Sequence, residues 1–379
     1  MKYVTEFRDG TLASGLAEAI AREVEPGRDY AFMEFCGGHT HAISRYGVAD
    51  LLPASVRLIH GPGCPVCVLP VGRVDMAIRL ALACPEVILC TYADCLRVPA
   101  SDGLSLLKAK ARGADVRMVY SAADALALAR REPAREGVFF AIGFETTTPP
   151  TALVIRQAAD EARRNFSVIC NHVLTPPAID ALLSAPAAGH SARPRLDGIL
   201  GPAHVSVIIG SAPYAFAAGR HHTPVVITGF EPLDVLQAVR MLVRQVNEGR
   251  AEVENEYTRA VTPEGNRKAQ TLMAEVLERR DTFAWRGLGE LPASALRIRP
   301  AFAAWDAEAK FGLEDRPVPD HKSCECAAIL CGAKGPTDCK LFGTVCTPET
   351  PMGACMVSSE GACAAHYNYG RFRDRAPAP

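Results

Sequence analysis

The 379-residue sequence lacks the features that would place it in a membrane or on a nucleic acid. It has no uninterrupted apolar stretch near the roughly 20 residues that span a bilayer. Its polar N-terminus lacks the apolar core of a signal peptide. The formal net charge is only -1 and no long basic run occurs, so bulk attraction to nucleic acid or anionic lipid is not expected. We therefore predict a cytoplasmic protein with no nucleic-acid or membrane partner.

The sequence also lacks the motifs of common nucleotide and zinc sites. The stretch Gly143-Phe144-Glu145-Thr146-Thr147-Thr148 has no Gly-Lys-Ser/Thr ending, which excludes a Walker A loop. The pair Cys64-Pro65-Val66-Cys67 has no second C-x-x-C with which to complete a zinc site. We favour a redox function or iron binding for this pair of cysteines. The alternatives are that they form half of a zinc site or are two thiols packed in the core.

An alternation of strand and helix patterns runs through the first two thirds of the chain. Short apolar runs are each followed by a Gly-, Pro- or polar-rich loop and a helical stretch, which predicts parallel sheets with helices on both faces. The fold class is therefore α/β. We expect two parallel-sheet α/β domains, residues 1–135 and 136–250. A helical connector and a small, loop-rich, Cys-rich domain follow over residues 251–379.

Three segments carry more local predictions. The β-branched run at residues 205–209 predicts a strand, and the charged segments 253–260 and 268–280 predict helices. Ser121 is expected to cap a helix that starts directly after it.

The motif Cys36-Gly37-Gly38-His39-Thr40-His41 follows a predicted strand at residues 30–35. Thiolate and imidazole together suit iron, zinc or copper. Paired glycines let the backbone approach a ligand closely. Ligands of parallel sheets sit beyond the carboxyl ends of strands, where this loop is expected to lie. The alternative is a strand-to-helix turn that holds a buried cysteine and solvent-facing histidines.

Other loops contain weaker candidates. Glu145 could orient a nearby histidine, although helix capping explains the threonines that follow it equally well. Single loop histidines are more often structural than ligands, and this holds for His172, His204, His221 and His222.

Cysteines crowd the C-terminal region. Seven of the 14 fall between Cys324 and Cys363. An iron–sulfur cluster tolerates such irregular spacing, because it bridges thiolates that loops bring together. A cluster is favoured over structural zinc, with disulfides third. These seven are Cys324, Cys326, Cys331, Cys339, Cys346, Cys355 and Cys363.

Four segments together resemble the HypD family of [NiFe]-hydrogenase maturation factors over about residues 5–370. Three are the loops at residues 36–41, 61–67 and 143–147. The fourth runs from Cys346-Thr347-Pro348 through Pro351-Met352-Gly353-Ala354-Cys355 to Cys363. The chain departs from the usual family pattern at Cys95, Ala327 and Cys331.

The resemblance implies a scaffold on which the Fe(CN)2CO group is assembled in complex with the chaperone HypC. Cyanide would come from HypE, acting with HypF. Cys36 would hold the iron transiently, with His39 as its nearest polar partner, and Cys64 and Cys67 would form a redox pair. Whether the protein is itself an enzyme stays open.

The resemblance also implies a [4Fe-4S] cluster in the C-terminal region. Its ligands would be Cys324, Cys339, Cys346 and Cys363, with Cys326 as an alternative to Cys324. Cys326 and Cys355 could form a second dithiol. Two other functions stay open. One is a thiol–disulfide oxidoreductase that depends on the iron–sulfur cluster, and the other is an interaction protein stabilised by structural zinc.

Overall fold

The computed structural model describes residues 5–184 and 195–370 and confirms an α/β fold with a Cys-rich C-terminal region. The strands are β1 (Tyr30–Glu34), β2 (Val56–His60), β3 (Val87–Thr91), β4 (Val116–Met118), β5 (Glu136–Gly143), β6 (Phe166–His172), β7 (Gly198–Pro202), β8 (Val225–Thr228), β9 (Val253–Asn255), β10 (Leu277–Arg279), β11 (Thr282–Trp285), β12 (Gly289–Pro292) and β13 (Leu296–Ile298).

The helices lie mainly between the strands. They are α1 (Gly10–Glu23), α2 (Gly37–Tyr46), α3 (Pro65–Val68), α4 (Val71–Ala83), α5 (Leu106–Ala111), α6 (Ala122–Arg131), α7 (Thr148–Asp160), α8 (Thr175–Leu183), α9 (Ala203–Ile209), α10 (Ala215–His221), α11 (Pro232–Asn247), α12 (Arg267–Val276), α13 (Ala307–Phe311), α14 (Cys326–Leu330) and α15 (Ala362–Ala365). Ser121 caps α6 in a capping box with Asp124, as predicted. No helix in the part of the chain that the structure describes is long and apolar enough to cross a membrane.

Two parallel sheets organise the fold. The first has the order β2-β1-β7-β8-β9 and the second the order β4-β3-β5-β6. Every residue of β1, β3, β6, β7 and β8 is buried, as expected for parallel strands that helices cover on both faces. The β10–β13 and β11–β12 pairs are antiparallel and follow the second sheet in the chain.

The sheets do not divide the chain at residue 135. The first sheet combines β1 and β2 with β7, β8 and β9, whereas the second takes β3 to β6 from both sides of that position. The reason is that β1 pairs with β7 as well as with β2, so the chain leaves the first sheet, builds the second and returns. One apolar core joins the facing sides of both sheets to the cysteines near the C-terminus.

Three local predictions differ from the structure. Residues 205–209 lie in α9, where Val205 and Ser206 are buried and the Ser206 hydroxyl donates to the Pro202 carbonyl at 2.8 Å. Packing thus overrides the strand propensity of the β-branched run.

The first charged segment predicted to be a helix, residues 253–260, contains no helix, and the second is helical only in part. Residues 253–255 form β9, a half-buried strand at the edge of the first sheet. Residues 268–280 begin in α12, but the chain then forms β10, which pairs with β13.

A buried arginine connects α4, the second sheet and α13. Arg73 is 0% exposed and donates to Asn171 Oδ1 at 2.6 Å, to the Cys170 carbonyl at 3.2 Å and to both carboxylate oxygens of Glu308 at 3.1 and 2.6 Å. Arg280 also donates to Glu308, at 2.6 Å. Burial pushes the pKa of Glu308 upward, but the two arginines outweigh it and hold that pKa below its usual range.

We predict that Glu308→Gln lowers the free energy of unfolding by about 3 kcal/mol, because it leaves two guanidinium groups without their carboxylate in a buried site. Urea denaturation measures this change. Glu314→Gln is the matched control: Glu314 pairs with Arg316 at the surface, where ion pairs contribute little. Equal unfolding curves for the two variants would contradict a stabilising role for Glu308.

Candidate functional site

Cys36 lies at the carboxyl end of β1 and is the N-cap residue of α2. Its sulfur accepts a hydrogen bond from the Gly38 backbone N–H at 3.3 Å, and its own N–H donates to Glu34 Oε2 at 3.0 Å. The side chain is almost entirely buried. Burial raises the pKa of the Cys36 thiol well above its ordinary value, and the carboxylates of Glu360 and Glu34 add to that rise. The thiol is therefore protonated at neutral pH.

The nearest imidazole to Cys36 belongs to His204, whereas the sequence predicts His39. His204 Nε2 lies 3.2 Å from the Cys36 sulfur. His204 follows β7, which is the neighbour of β1 in the first sheet, so the two carboxyl ends bring these side chains together. Burial lowers the pKa of His204 to about 4, so its ring is neutral.

The His39 ring is turned toward the backbone at the carboxyl end of β8. Its Nε2 lies 3.1 Å from the Thr228 carbonyl and 3.0 Å from that of Gly229. Burial lowers the pKa of His39 to about 4, so it too is neutral. The Phe230 ring stacks on the His39 ring and on the His204 ring, with centroid distances of 4.7 Å in both cases. The His39 ring thus helps to position His204 through Phe230, and it is the His39 backbone N–H that acts on the Cys36 thiol.

A buried carboxyl group lies beneath Cys36. Glu34 is 0% exposed, and its oxygens accept from the Cys36 N–H, from the Thr40 hydroxyl and from His60, whose Nδ1 is 2.9 Å away. Burial raises the pKa of Glu34, and these contacts counteract the rise.

The Cys64–Cys67 pair is a disulfide at the start of α3, next to Cys36. The Gly37 N–H donates to the Gly63 carbonyl at 3.1 Å, which joins the two cysteine loops. A Cβ at Gly63 would overlap the backbone of Cys36, so only glycine permits this approach. Both sulfurs are buried.

Glu145 does not orient a histidine. Its carboxylate accepts from the Thr175 N–H at 2.8 Å and from the Thr175 hydroxyl at 2.9 Å. Burial raises its pKa to about 7. His172 lies at the end of β6 with its Nε2 2.9 Å from the Thr151 hydroxyl oxygen, so it also stands apart from Cys36.

A cavity of about 490 Å³ opens between the carboxyl ends of the two sheets. Its wall combines the two predicted motifs around Cys64 and Glu145 with His204 and a late segment of the chain. The lining includes Gly63, Tyr92, Thr146, His204 and Glu360. The cavity connects the surface to His204, the side chain that faces Cys36.

The C-terminal cysteines converge beside Arg286, whose positive charge acts on Cys324 and Cys355. The thiols of Cys324, Cys355 and Cys363 hydrogen-bond the Cys326 sulfur, which lowers the pKa of Cys326 and raises those of the other three. Cys346 accepts from the Met352 N–H at 3.3 Å. A Cβ at Gly353 would overlap two of these sulfurs, so the backbone leaves room for them.

These thiols fit an iron–sulfur cluster in donor chemistry, since they are soft and buried and gather at one place. They pack on the Cys326 sulfur and do not surround a common centre. Accordingly, no group of three or more His, Cys, Asp or Glu within residues 5–184 and 195–370 is arranged to hold a metal ion. Cys331 donates to the Gly287 carbonyl at 2.9 Å.

The fold and the site define a class of protein: an α/β protein with a buried thiol, a neighbouring disulfide and a Cys-rich C-terminal region. A family model named HypD, described as "Hydrogenase formation hypA family", matches residues 11–370. The chain belongs to the HypD family of hydrogenase maturation factors.

Individual relatives match along nearly their whole length. The "Hydrogenase maturation factor HypD" of Cupriavidus necator is 65% identical over 374 residues, which cover 99% of this chain and 98% of the relative. The Azotobacter chroococcum "Hydrogenase expression/formation protein HupD" is 66% identical over 376 residues, or 99% of each chain. The HypD of Escherichia coli is 46% identical over 381 residues, with 99% and 100% covered.

Three residues that contact or act on Cys36 were not predicted to do so from the sequence. Glu34 carries a usable signal, because it is the one charged residue in an otherwise apolar strand. Glu360 and His204 carry none, since they reach Cys36 only through the fold.

We predict that Glu360→Gln lowers the pKa of Cys36, because a negative charge near a thiol opposes its ionisation. Alkylation of Cys36 by iodoacetamide at alkaline pH should become several-fold faster, as measured by mass spectrometry of the Cys36 peptide. Glu264→Gln, at an exposed position, is the control. An unchanged or slower rate in Glu360→Gln would show that this carboxylate does not act on the thiol.

Proposed function

We propose that this chain is the scaffold on which the Fe(CN)2CO group of [NiFe] hydrogenases is assembled, in the cytoplasm and in complex with a HypC chaperone. The iron is cargo, and Cys36 holds it. Cyanide comes from HypE, acting with HypF. The observation that carries the proposal is the line of sulfur sites that leads from the C-terminal cysteines to Cys36.

The line has two short connections. Gly63 brings the Cys64–Cys67 disulfide against the Cys36 loop. On its other side, the Cys67 sulfur lies 4.0 Å from the carbonyl oxygen of Ala354, the residue before Cys355. Exchange between neighbouring dithiols can carry reducing equivalents along such a line. We assign Cys326 and Cys355 as the second dithiol because their sulfurs are in contact.

The pocket suits iron that carries strong-field diatomic ligands. Such iron takes soft anionic donors, and Cys36 offers one thiolate in a buried position. A second thiolate from the chaperone would complete the protein ligands, and exchange of that thiolate would let the cargo leave. His204 is the side chain placed to accept the Cys36 proton or to hydrogen-bond the thiolate. Glu34 fixes the Cys36 backbone through its N–H.

We assign a [4Fe-4S] cluster to Cys324, Cys339, Cys346 and Cys363. When bound, such a cluster supplies single electrons. Cys363 interacts electrostatically with Cys346 and Cys339, which supports their grouping.

Burial of the disulfide argues against the alternative function, a general thiol–disulfide oxidoreductase. Cys64 is 3% exposed and Cys67 0%. Thiol–disulfide exchange requires that a thiolate reach one sulfur of the disulfide, and a protein substrate has no access to these buried sulfurs. A thiol from within the same protein can reach them.

Infrared spectroscopy of the anaerobically purified complex with the HypC partner tests the scaffold. We expect nitrile and carbonyl stretches that disappear in Cys36→Ala, because the iron then loses its anchor. Cys84→Ala is the control, since Cys84 lies at the end of α4 away from the loops. Bands that survive in Cys36→Ala would refute Cys36 as the anchor.

Iron and acid-labile sulfide analysis tests the ligand assignment. We expect Cys339→Ala to lose both, whereas Cys326→Ala retains them, because only the first removes a ligand. The reverse result would move the cluster onto the thiols that contact Cys326.

A further inference from the structure

A second cavity, of about 740 Å³, lies behind the Glu145 loop and is separate from the one that reaches His204. Its size is that of a small-molecule site. Most of its wall is apolar, contributed by α8, α9, α12 and β13. The apolar side chains include Leu174, Ile209, Phe216, Met273, Leu277 and Leu296.

Three carboxyl groups and three arginines line this cavity, but the carboxyl groups are engaged more fully than the arginines. Asp180 is engaged by Arg220 at 2.9 Å and by His221 at 2.6 Å, and Glu278 is engaged by Arg297 at 2.9 Å. Two arginines of the lining keep donors to spare. Arg299 donates from its Nε to the Leu277 carbonyl at 3.1 Å. The backbone of Arg279 pairs with Leu296, but its side chain makes no hydrogen bond or ion pair with the residues that the structure describes.

At the inner end lies the buried carboxyl group of Glu145. Arg279 acts on it electrostatically, but both carboxylate oxygens bond Thr175. Because Glu145 is already engaged, the guanidinium groups at the rim remain available to an anion from outside. Arginine forks match carboxylate and other oxyanions well.

We propose that this cavity binds a small organic anion, with its apolar body against α8 and α12 and its oxyanion on Arg279 and Arg299. The site does not depend on the scaffold function and shares none of its thiols. It does adjoin the iron pocket, since Phe144 and Thr146 line the other cavity while Glu145, between them, lines this one.

Fluorescence titration of the purified full-length protein with 8-anilinonaphthalene-1-sulfonate tests the proposal, because this probe joins an apolar body to an oxyanion. We expect saturable binding that benzoate displaces and the uncharged benzyl alcohol does not. Arg279→Gln should weaken the probe about tenfold by removing a charge-assisted contact, and Arg279→Gln/Arg299→Gln should weaken it further. Arg22→Gln is the control, since Arg22 is an exposed arginine of α1 outside the cavity lining.

A space-filling variant gives an independent measurement. Ala274 lines the cavity from α12, and Ala274→Trp should abolish probe binding, whereas Lys268→Trp at an exposed position of the same helix should not. Circular dichroism checks that each variant is folded. Absence of saturable binding, equal affinity in Arg279→Gln and Arg22→Gln, or displacement by benzyl alcohol as effective as by benzoate would overturn the proposal.

Discussion

Burial of the Cys36 thiol is the constraint on which the rest of the site depends. Most reactive cysteines lie near a positive charge that stabilises the thiolate. Here the neighbouring ring of His204 is neutral, while burial and the acidic groups of Glu360 and Glu34 disfavour a free thiolate. An arriving cation reverses this balance, because it compensates the charge that the pocket does not. On the proposed function, the pocket would therefore favour a thiolate that is bound to metal.

The parallel sheets explain how distant segments meet at this thiol. The chain leaves the first sheet after β2 and returns at β7, so Cys36 and His204 sit at adjacent strand ends. Phe230, after β8, extends the same row and stacks on the His204 ring. The C-terminal Cys-rich region then places Glu360 near Cys36 and Ala354 beside Cys67. One edge of one sheet thus brings together the Cys36 thiol, the His204 imidazole and the disulfide.

Sequence patterns alone predicted the fold class, and they placed the Cys36 and Cys64 loops at strand ends. They failed where long-range packing decides the outcome: α9 forms from β-branched residues, and β9 forms from a charged edge segment. The prediction that His39 is the nearest polar partner of Cys36 failed for the same reason, because long-range packing decides that contact. His39 is three residues from Cys36, yet its ring turns to the Gly229 carbonyl, while His204 approaches from the neighbouring strand. Strand order, which local patterns do not encode, determines that contact.

Proton release on iron binding tests the central claim most directly. If Cys36 is a protonated thiol that ionises only when it takes up iron, anaerobic addition of ferrous iron with the HypC partner at neutral pH must displace its proton. The account predicts that the native protein releases at least one proton more per equivalent of added iron than Cys36→Ala, which lacks the anchor. Equal release from the two proteins would contradict it.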